Sequence, residues 1–181
     1  SGPPDDRVAA LRTFLGRYAA AYGITASDAV DLVVVADYAN PSGNMGWVEL
    51  EQRIHGIPVF QGTVRGGFTA KGELARTTGT LASGVVPGAL SPTPGLSPEQ
   101  AIATAADSVG WLAPENTLTR TADASSPGRT TFTSTTMAGD AVAWLTYFPI
   151  ASGAVRLAWA TEIMGDPDAF LTLVDAETAT V

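Results

Sequence analysis

Seven glycines and prolines crowd the stretch from Ala82 to Pro98: Gly84, Pro87, Gly88, Pro92, Pro94, Gly95 and Pro98. No regular element persists through so many residues that lack a Cβ or lack an N–H. The chain on either side must organise separately, and both sides open on a helix. Upstream, Val8, Leu11, Leu15, Tyr18 and Tyr22 recur at helical spacing over Asp5–Tyr22, with Phe14 widening the stripe. Asp5 and Asp6 suit the positive end of a helix dipole, and Gly23 suits the stop. Downstream, Ser97-Pro98-Glu99-Gln100 is a capping box with proline at the first helical position, and the helix continues through Val109.

After each helix the period becomes two. Ala29–Tyr38 is rich in β-branched residues and reads as a strand, and Asn40–Asn44 as a loop. Val48, Leu50, Gln52 and Ile54 then point one way, and Trp47, Glu49, Glu51 and Arg53 the other. His55-Gly56 separates this strand from Ile57-Pro58-Val59-Phe60, the spacing of a two-residue hairpin with positive φ at both turn positions. Pro58 cannot donate, so it belongs at a strand start or on a non-bonded side. The strand runs on to Phe68, Lys71-Gly72 is another tight turn, and Glu73–Leu81 follows. In the second half, 114–128 reads as irregular. Thr130–Met137, Val142–Phe148, Val155–Met164 and Phe170–Val174 read as strands, with turns at Gly139-Asp140, Ser152-Gly153 and Asp166-Pro167. The expectation is an α+β fold of two lobes, 5–81 and 97–181, each one helix on an antiparallel sheet, joined by 82–96 packed along the surface.

The residues that carry chemistry are scarce. There is no cysteine and one histidine, so thiolate zinc sites, disulfides and cysteine nucleophiles are excluded. Zinc hydrolysis through H-E-x-x-H needs two histidines, and a Ser–His–Asp triad would have to use His55, which sits in a turn without a nucleophile elbow. Glu49 and Glu51 lie about 6.5–7 Å apart on one strand face, a spacing glycosidases use, yet such charges also make an ordinary solvated face. Gly66-Gly67 lacks the spacing of a phosphate loop. Trp111, Trp144, Tyr147, Phe148 and Trp159 suit a sheet core better than a row of stacked bases. The net charge is −8 with ten scattered Lys and Arg, which argues against a nucleic-acid partner and against a polybasic membrane patch. No apolar run reaches the roughly 18–20 residues that span a bilayer. Ser1-Gly2-Pro3-Pro4 has no Met and reads as a processed start. A binding segment is the expectation, and an enzyme in its own right is not.

The stretch Gly46–Gly62 resembles the fungalysin/thermolysin propeptide (FTP) motif: a strand ending in Gln52, a short turn ending in Gly56, then Ile57, Pro58, Val59 and Phe60. Tyr38 and the Ser42-Gly43-Asn44 loop are similar to the fungalysin form, and His55 stands where that family more commonly has Asn. The second half resembles a PepSY lobe in Leu96–Ala101, Trp144–Pro149, Val155–Trp159 and the closing Leu173–Thr178, with Ala179 where that pattern has Gly. The resemblance implies two cystatin-like lobes, an FTP lobe over 5–81 and a PepSY-like lobe over 97–181. It implies the propeptide of an exported, secreted zinc metallopeptidase that acts as intramolecular chaperone and inhibitor. No cofactor is expected in this chain. Zinc and the H-E-x-x-H catalytic domain, the expected partner, would lie beyond Val181. A free-standing exported binding module of PepSY type is the alternative.

Overall fold

The computed structural model describes residues 6–121, 128–165 and 167–181. The chain forms two compact units: Ser1–Ala89 with Pro149–Val155, and Leu90–Phe148 with Arg156–Val181. The fold class is α+β. Among the described residues no helix is long and apolar enough to cross a membrane.

In the first unit, α1 (Arg7–Arg17) and α2 (Ala26–Asp31) lie against β1 (Val33–Ala39), β2 (Met45–Ile54), β3 (Ile57–Thr69) and β4 (Leu74–Gly79), strands paired antiparallel in that order. Leu11 and Leu15 are fully buried with Val48, Leu50, Val64 and Phe68, each contributing about 1.5–3 kcal/mol of burial. The two adjacent glycines of β3 serve this packing. A Cβ on Gly66 would stand 3.0 Å from Leu11, and one on Gly67 would stand 2.9 Å from Trp47. Leu11 and Trp47 therefore rest directly on strand backbone.

Two differences from the sequence expectation have local causes. The first helix is α-helical only to Arg17. Ala19–Tyr22 then winds as a 3₁₀ turn that closes on Gly23 at φ 67°. The change from 3.6 to 3.0 residues per turn breaks the phase of the apolar stripe. Tyr18, at the junction of the two, is 46% exposed, against Phe14 and beneath Arg17. Ala29–Tyr38 is also not one strand. Thr25 and Asp28 form a reciprocal cap that starts a six-residue helix, and the strand begins at Val33. Arg12 on α1 donates to the Leu32 carbonyl at 2.7 Å, so a cation meets the negative end of α2.

In the second unit, α3 (Pro98–Ser108) starts at the expected capping box. Gln100 N–H donates to Ser97 Oγ at 3.1 Å, and Ser97 N–H donates to Gln100 Oε1 at 2.9 Å. The strands are β5 (Leu118–Arg120), β6 (Arg129–Ser134), β7 (Ala141–Ala151), β8 (Ala154–Met164) and β9 (Ala169–Asp175), each paired with the next. The hairpin end at 149–155 belongs to the first unit. β5 lies in the stretch read as irregular, of which 122–127 fall outside the described residues, as does Asp166 of the expected Asp166-Pro167 turn. The helix face is Ala101, Ile102, Ala105 and Ala106, and the sheet supplies the bulk: Phe132, Trp159, Ile163 and Val174. Two buried aromatics carry polar tips, and each finds a carbonyl. Tyr147 OH donates to Ser91 O at 2.9 Å, and Trp159 Nε1 donates to Leu96 O at 3.0 Å. Burial pushes the Tyr147 phenol up from its ordinary value.

β9 ends in a loop organised by Asp175. Its carboxylate accepts the Glu177 and Thr178 N–H groups at 3.0 and 2.9 Å and the Arg156 guanidinium at 2.9 Å. Desolvation raises its pKa. The Thr178 N–H, the Arg156 guanidinium, the Glu177 N–H and the Thr178 side chain outweigh that and hold it at about 2. A depressed carboxylate pKa adds stability above the unfolded value near 3.8, and the gain disappears as pH falls through about 2. The stability difference between wild type and Asp175→Asn should therefore be widest at pH 5 and shrink towards pH 2. Urea unfolding across that range measures it, and a constant difference would refute the assignment. The same loop holds Ala179 at φ 58°, a left-handed backbone in a residue with a Cβ. Ala179→Gly should raise stability by about 0.5–1 kcal/mol, the strain relieved less the added chain entropy. A lower urea midpoint would show that the strain is absent.

Candidate functional site

The residues that carry the propeptide resemblance lie at one end of the β2–β3 hairpin. His55 and Gly56 have φ of 53° and 79°, so both turn positions are left-handed, as the two-residue spacing requires. Ile54 pairs with Ile57 and Arg53 with Pro58. The pair flanking such a turn exchanges both ladder bonds, so the next pair is a non-bonded one. Pro58 therefore sits where β2 does not need its missing N–H. Ile54 and Val59 are buried.

Beyond Pro58 the register shifts. Arg53 is opposite Pro58 but Glu51 is opposite Thr63, so residues 59–62 bulge across from Gln52. Gln61 adopts φ 55°, and Gly62 lies so close to Val59 that an added Cβ would stand 2.7 Å from it. Without a regular neighbour across the ladder, the Gln52 side chain reaches elsewhere. Nε2 donates to Ala82 O at 3.0 Å, and Ala82 N–H donates to Oε1 at 2.7 Å. The amide thus acts as one rung of a β-ladder for a residue only 8% exposed. The alternation of the strand places Gln52 with Val48 and Leu50 and does not indicate what its amide bonds. Its partner lies thirty residues on, at the start of the Pro- and Gly-rich segment.

Further bonds fasten the same segment within the first unit. Gly153 N–H donates to Ser83 O at 2.7 Å, and Gly84 N–H donates to Gly23 O at 3.1 Å. The Ser83 and Ser152 hydroxyls are 2.9 Å apart. A Cβ on Gly23 would fall 2.3 Å from that of Ser83, so Gly23 both ends its turn and admits the segment. His55 Nε2 lies 2.9 Å from Pro87 O and must donate to it. Nothing in the sequence signalled this second role of a turn histidine.

The groups weighed for chemistry are otherwise engaged. Arg65 donates to Glu49 at 2.6 and 3.0 Å, and Arg53 donates to Glu51 at 2.6 Å. The bond and charge of Glu49 raise the Arg65 pKa. Among the described residues, no cluster of three or more His, Cys, Asp or Glu could hold a metal ion. The aromatics do not converge: Tyr147 and Trp159 are in the core, Trp111 meets Phe170 edge-on, and the Arg129 guanidinium lies 3.8 Å from the Trp144 ring centre. A cleft of about 480 Å³ beside α1 is lined by Arg7, Phe14, Arg17, Tyr18 and Leu74, away from the hairpin. Arg7 there already pairs with Asp37 at 2.7 Å.

No family model and no curated protein matches the chain. Among solved structures it is similar to the Bacillus megaterium YpeB C-terminal domain at 12% identity and a TM-score of 0.37. The match covers 99% of this chain and 62% of that one, so the chain spans less than two thirds of that protein's length.

Gln52→Leu removes both bonds to Ala82 and leaves a buried N–H and carbonyl unmet, a loss of about 1–3 kcal/mol. Gln52→Glu, which keeps the acceptor for the N–H but sets a carboxylate against the carbonyl, should also destabilise. Urea unfolding together with limited proteolysis near residue 85 reports both, and an unchanged midpoint for Gln52→Leu would end this account of the clamp.

Proposed function

We propose that the chain is the propeptide of an exported zinc metallopeptidase, assisting the folding of the catalytic domain and blocking it until removal. The observation that carries this reading is the Gln52–Ala82 clamp with its adjoining His55–Gly56 turn. The residues by which the sequence resembles the propeptide hairpin meet in space and share one task, fixing the chain that leaves the first unit. Gln52 supplies the rung, Gly56 the left-handed turn, and Pro58 and Val59 the strand that follows. A binding role also suits a chain whose single histidine is bound to a backbone carbonyl. A segment that binds the native catalytic domain and not its unfolded chain stabilises it by mass action, and tethering raises its effective concentration. A standard interface near 1,600 Å² supports nanomolar affinity, about 12 kcal/mol.

Two measurements test the proposal. The reading frame past Val181 should encode H-E-x-x-H within a few hundred residues, whereas a stop codon there would favour a free-standing binding module. The catalytic domain so identified, refolded with and without this chain in trans, should regain more activity with it. Once mature, it should be suppressed by micromolar chain, and full activity at that concentration would overturn the inhibitory role.

A further inference from the structure

The face of the first sheet turned away from α1 and α2 carries two complete cross-strand rows. Tyr38, Trp47, Gly67 and Arg76 stand opposite one another on β1, β2, β3 and β4, and so do Ala36, Glu49, Arg65 and Thr78. Alternation sets both rows on the other side of the sheet from Val48, Leu50 and Gly66, which pack with Leu11. Tyr38 is 47% exposed, and Arg65, Arg76 and Thr78 are exposed.

The first row is an aromatic floor. A Cβ on Gly67 would stand 2.9, 3.3 and 3.5 Å from three consecutive atoms of the Trp47 six-membered ring. Near-equal distances to adjacent atoms mark a face and not an edge, so the indole lies flat on strand backbone. Among the described residues no ring or cation stacks on its other face. Tyr38, one strand spacing of about 4.8 Å away, continues the floor. The second row is polar and only half spent. Both Arg65 bonds to Glu49 go to Oε2, so among the described residues Glu49 Oε1 keeps its lone pairs and Arg65 Nη1 its donors. Arg76 has no ion pair among the described residues.

An aromatic floor edged by a spare acceptor and spare donors suits a ligand with apolar faces and hydroxyl rims, because each hydroxyl both gives and takes a hydrogen bond. β2 and β3 are interior strands whose backbone groups are consumed by their neighbours, so the face offers no rung to an extended peptide. Charge narrows the choice further. The first unit has eight acidic and seven basic residues and the second has ten and three, so the second carries −7 of the net charge of −8. That field disfavours anions, and the uncommitted Arg76 on the face itself disfavours cations. A neutral, polyhydroxylated ligand meets neither penalty.

We propose that this face binds a neutral sugar chain, with pyranose rings laid on Trp47 and Tyr38 and hydroxyls bonded to Glu49 Oε1 and to the guanidinium groups of Arg65 and Arg76. The site lies wholly within the first unit and stands whether or not the chain also meets a peptidase.

The test is amide and indole NMR of the whole chain titrated with cellotetraose and, separately, with chitotetraose. Saturable shifts are expected at the Trp47 indole N–H, Gly67 and Arg76 with at least one of them. About 0.5 M salt should change the affinity by less than about twofold, because the ligand is uncharged. Tyr38→Ala, at an exposed position, should weaken binding about two- to tenfold, and Trp47→Ala should abolish it with the rest of the spectrum in place. The proposal fails if neither sugar gives a saturable shift, or if Tyr38→Ala binds as tightly as wild type. It fails too if tetragalacturonate binds more tightly than the neutral tetramers, or if a hexapeptide of alternating Ser and Phe shifts the same signals at lower concentration.

Discussion

Each unit closes its core by bringing a helix close to a sheet, and that approach demands positions without bulk on one side of the contact. In the first unit the strand gives way, with Leu11 over Gly66. In the second the helix gives way, with Ala101, Ala105 and Ala106 facing Phe132, Trp159 and Ile163. Both solutions keep the packing dense while reversing which layer carries the large side chains. The second has a consequence. Large aromatics in the sheet bring polar tips into the core, and those tips must be satisfied. Trp159 and Tyr147 find their acceptors at Leu96 and Ser91, so core packing also fixes the approach to α3.

The Pro- and Gly-rich segment faces the converse problem. Apart from a 3₁₀ turn at Pro87–Ala89 it satisfies few of its own backbone groups, and where it is buried they need partners from elsewhere. Residues 82–87 take theirs from Gln52, Gly153, Gly23 and His55 in the first unit. Residues 91–96 take theirs from Tyr147, Trp159 and Ala176 in the second: the Gly95 and Leu96 N–H groups both donate to Ala176 O at 2.9 Å. A stretch that reads as a connector thus has its two parts held each within its own unit, by side chains such as Gln52 and Trp159 and by backbone groups such as those of Gly23 and Ala176.

The legible parts of the fold are those governed by local chemistry. The Ser97–Gln100 cap, the left-handed His55–Gly56 turn, the place of Pro58 at the start of its strand and the alternation of Val48 and Leu50 each follow from a few adjacent residues. The misread parts are those in which tertiary contacts decide. Val30 and its neighbours favour a strand, but Thr25 with Asp28 nucleates a helix whose far end Arg12 caps. Alternation along β8 marks Val155, Leu157, Trp159 and Ile163 but leaves Ala158 and Ala160 on the open side, and both are buried. The bulge at 59–62 was announced only by Gly62. Of the clamp, Gln52 was visible as an inward amide. Ala82, thirty residues away, was not, because no periodicity links a side chain to a distant backbone rung.

That division bears on what a motif can say about function. Gln52, His55, Gly56 and Pro58 all act on backbone, through a rung, a turn, a carbonyl bond and an unneeded donor. Residues with such tasks specify the shape that a partner meets and do not themselves make the contact. Recognition then depends on positions free of structural duty, and the second unit leaves these in an unbalanced field, because its cations are consumed by Glu99, Glu162 and Asp175. Charge of one sign raises the encounter rate with surfaces of the other and lowers it with its own kind. The hairpin therefore bears on which fold the chain adopts, and the surplus carboxylates bear on what can approach it.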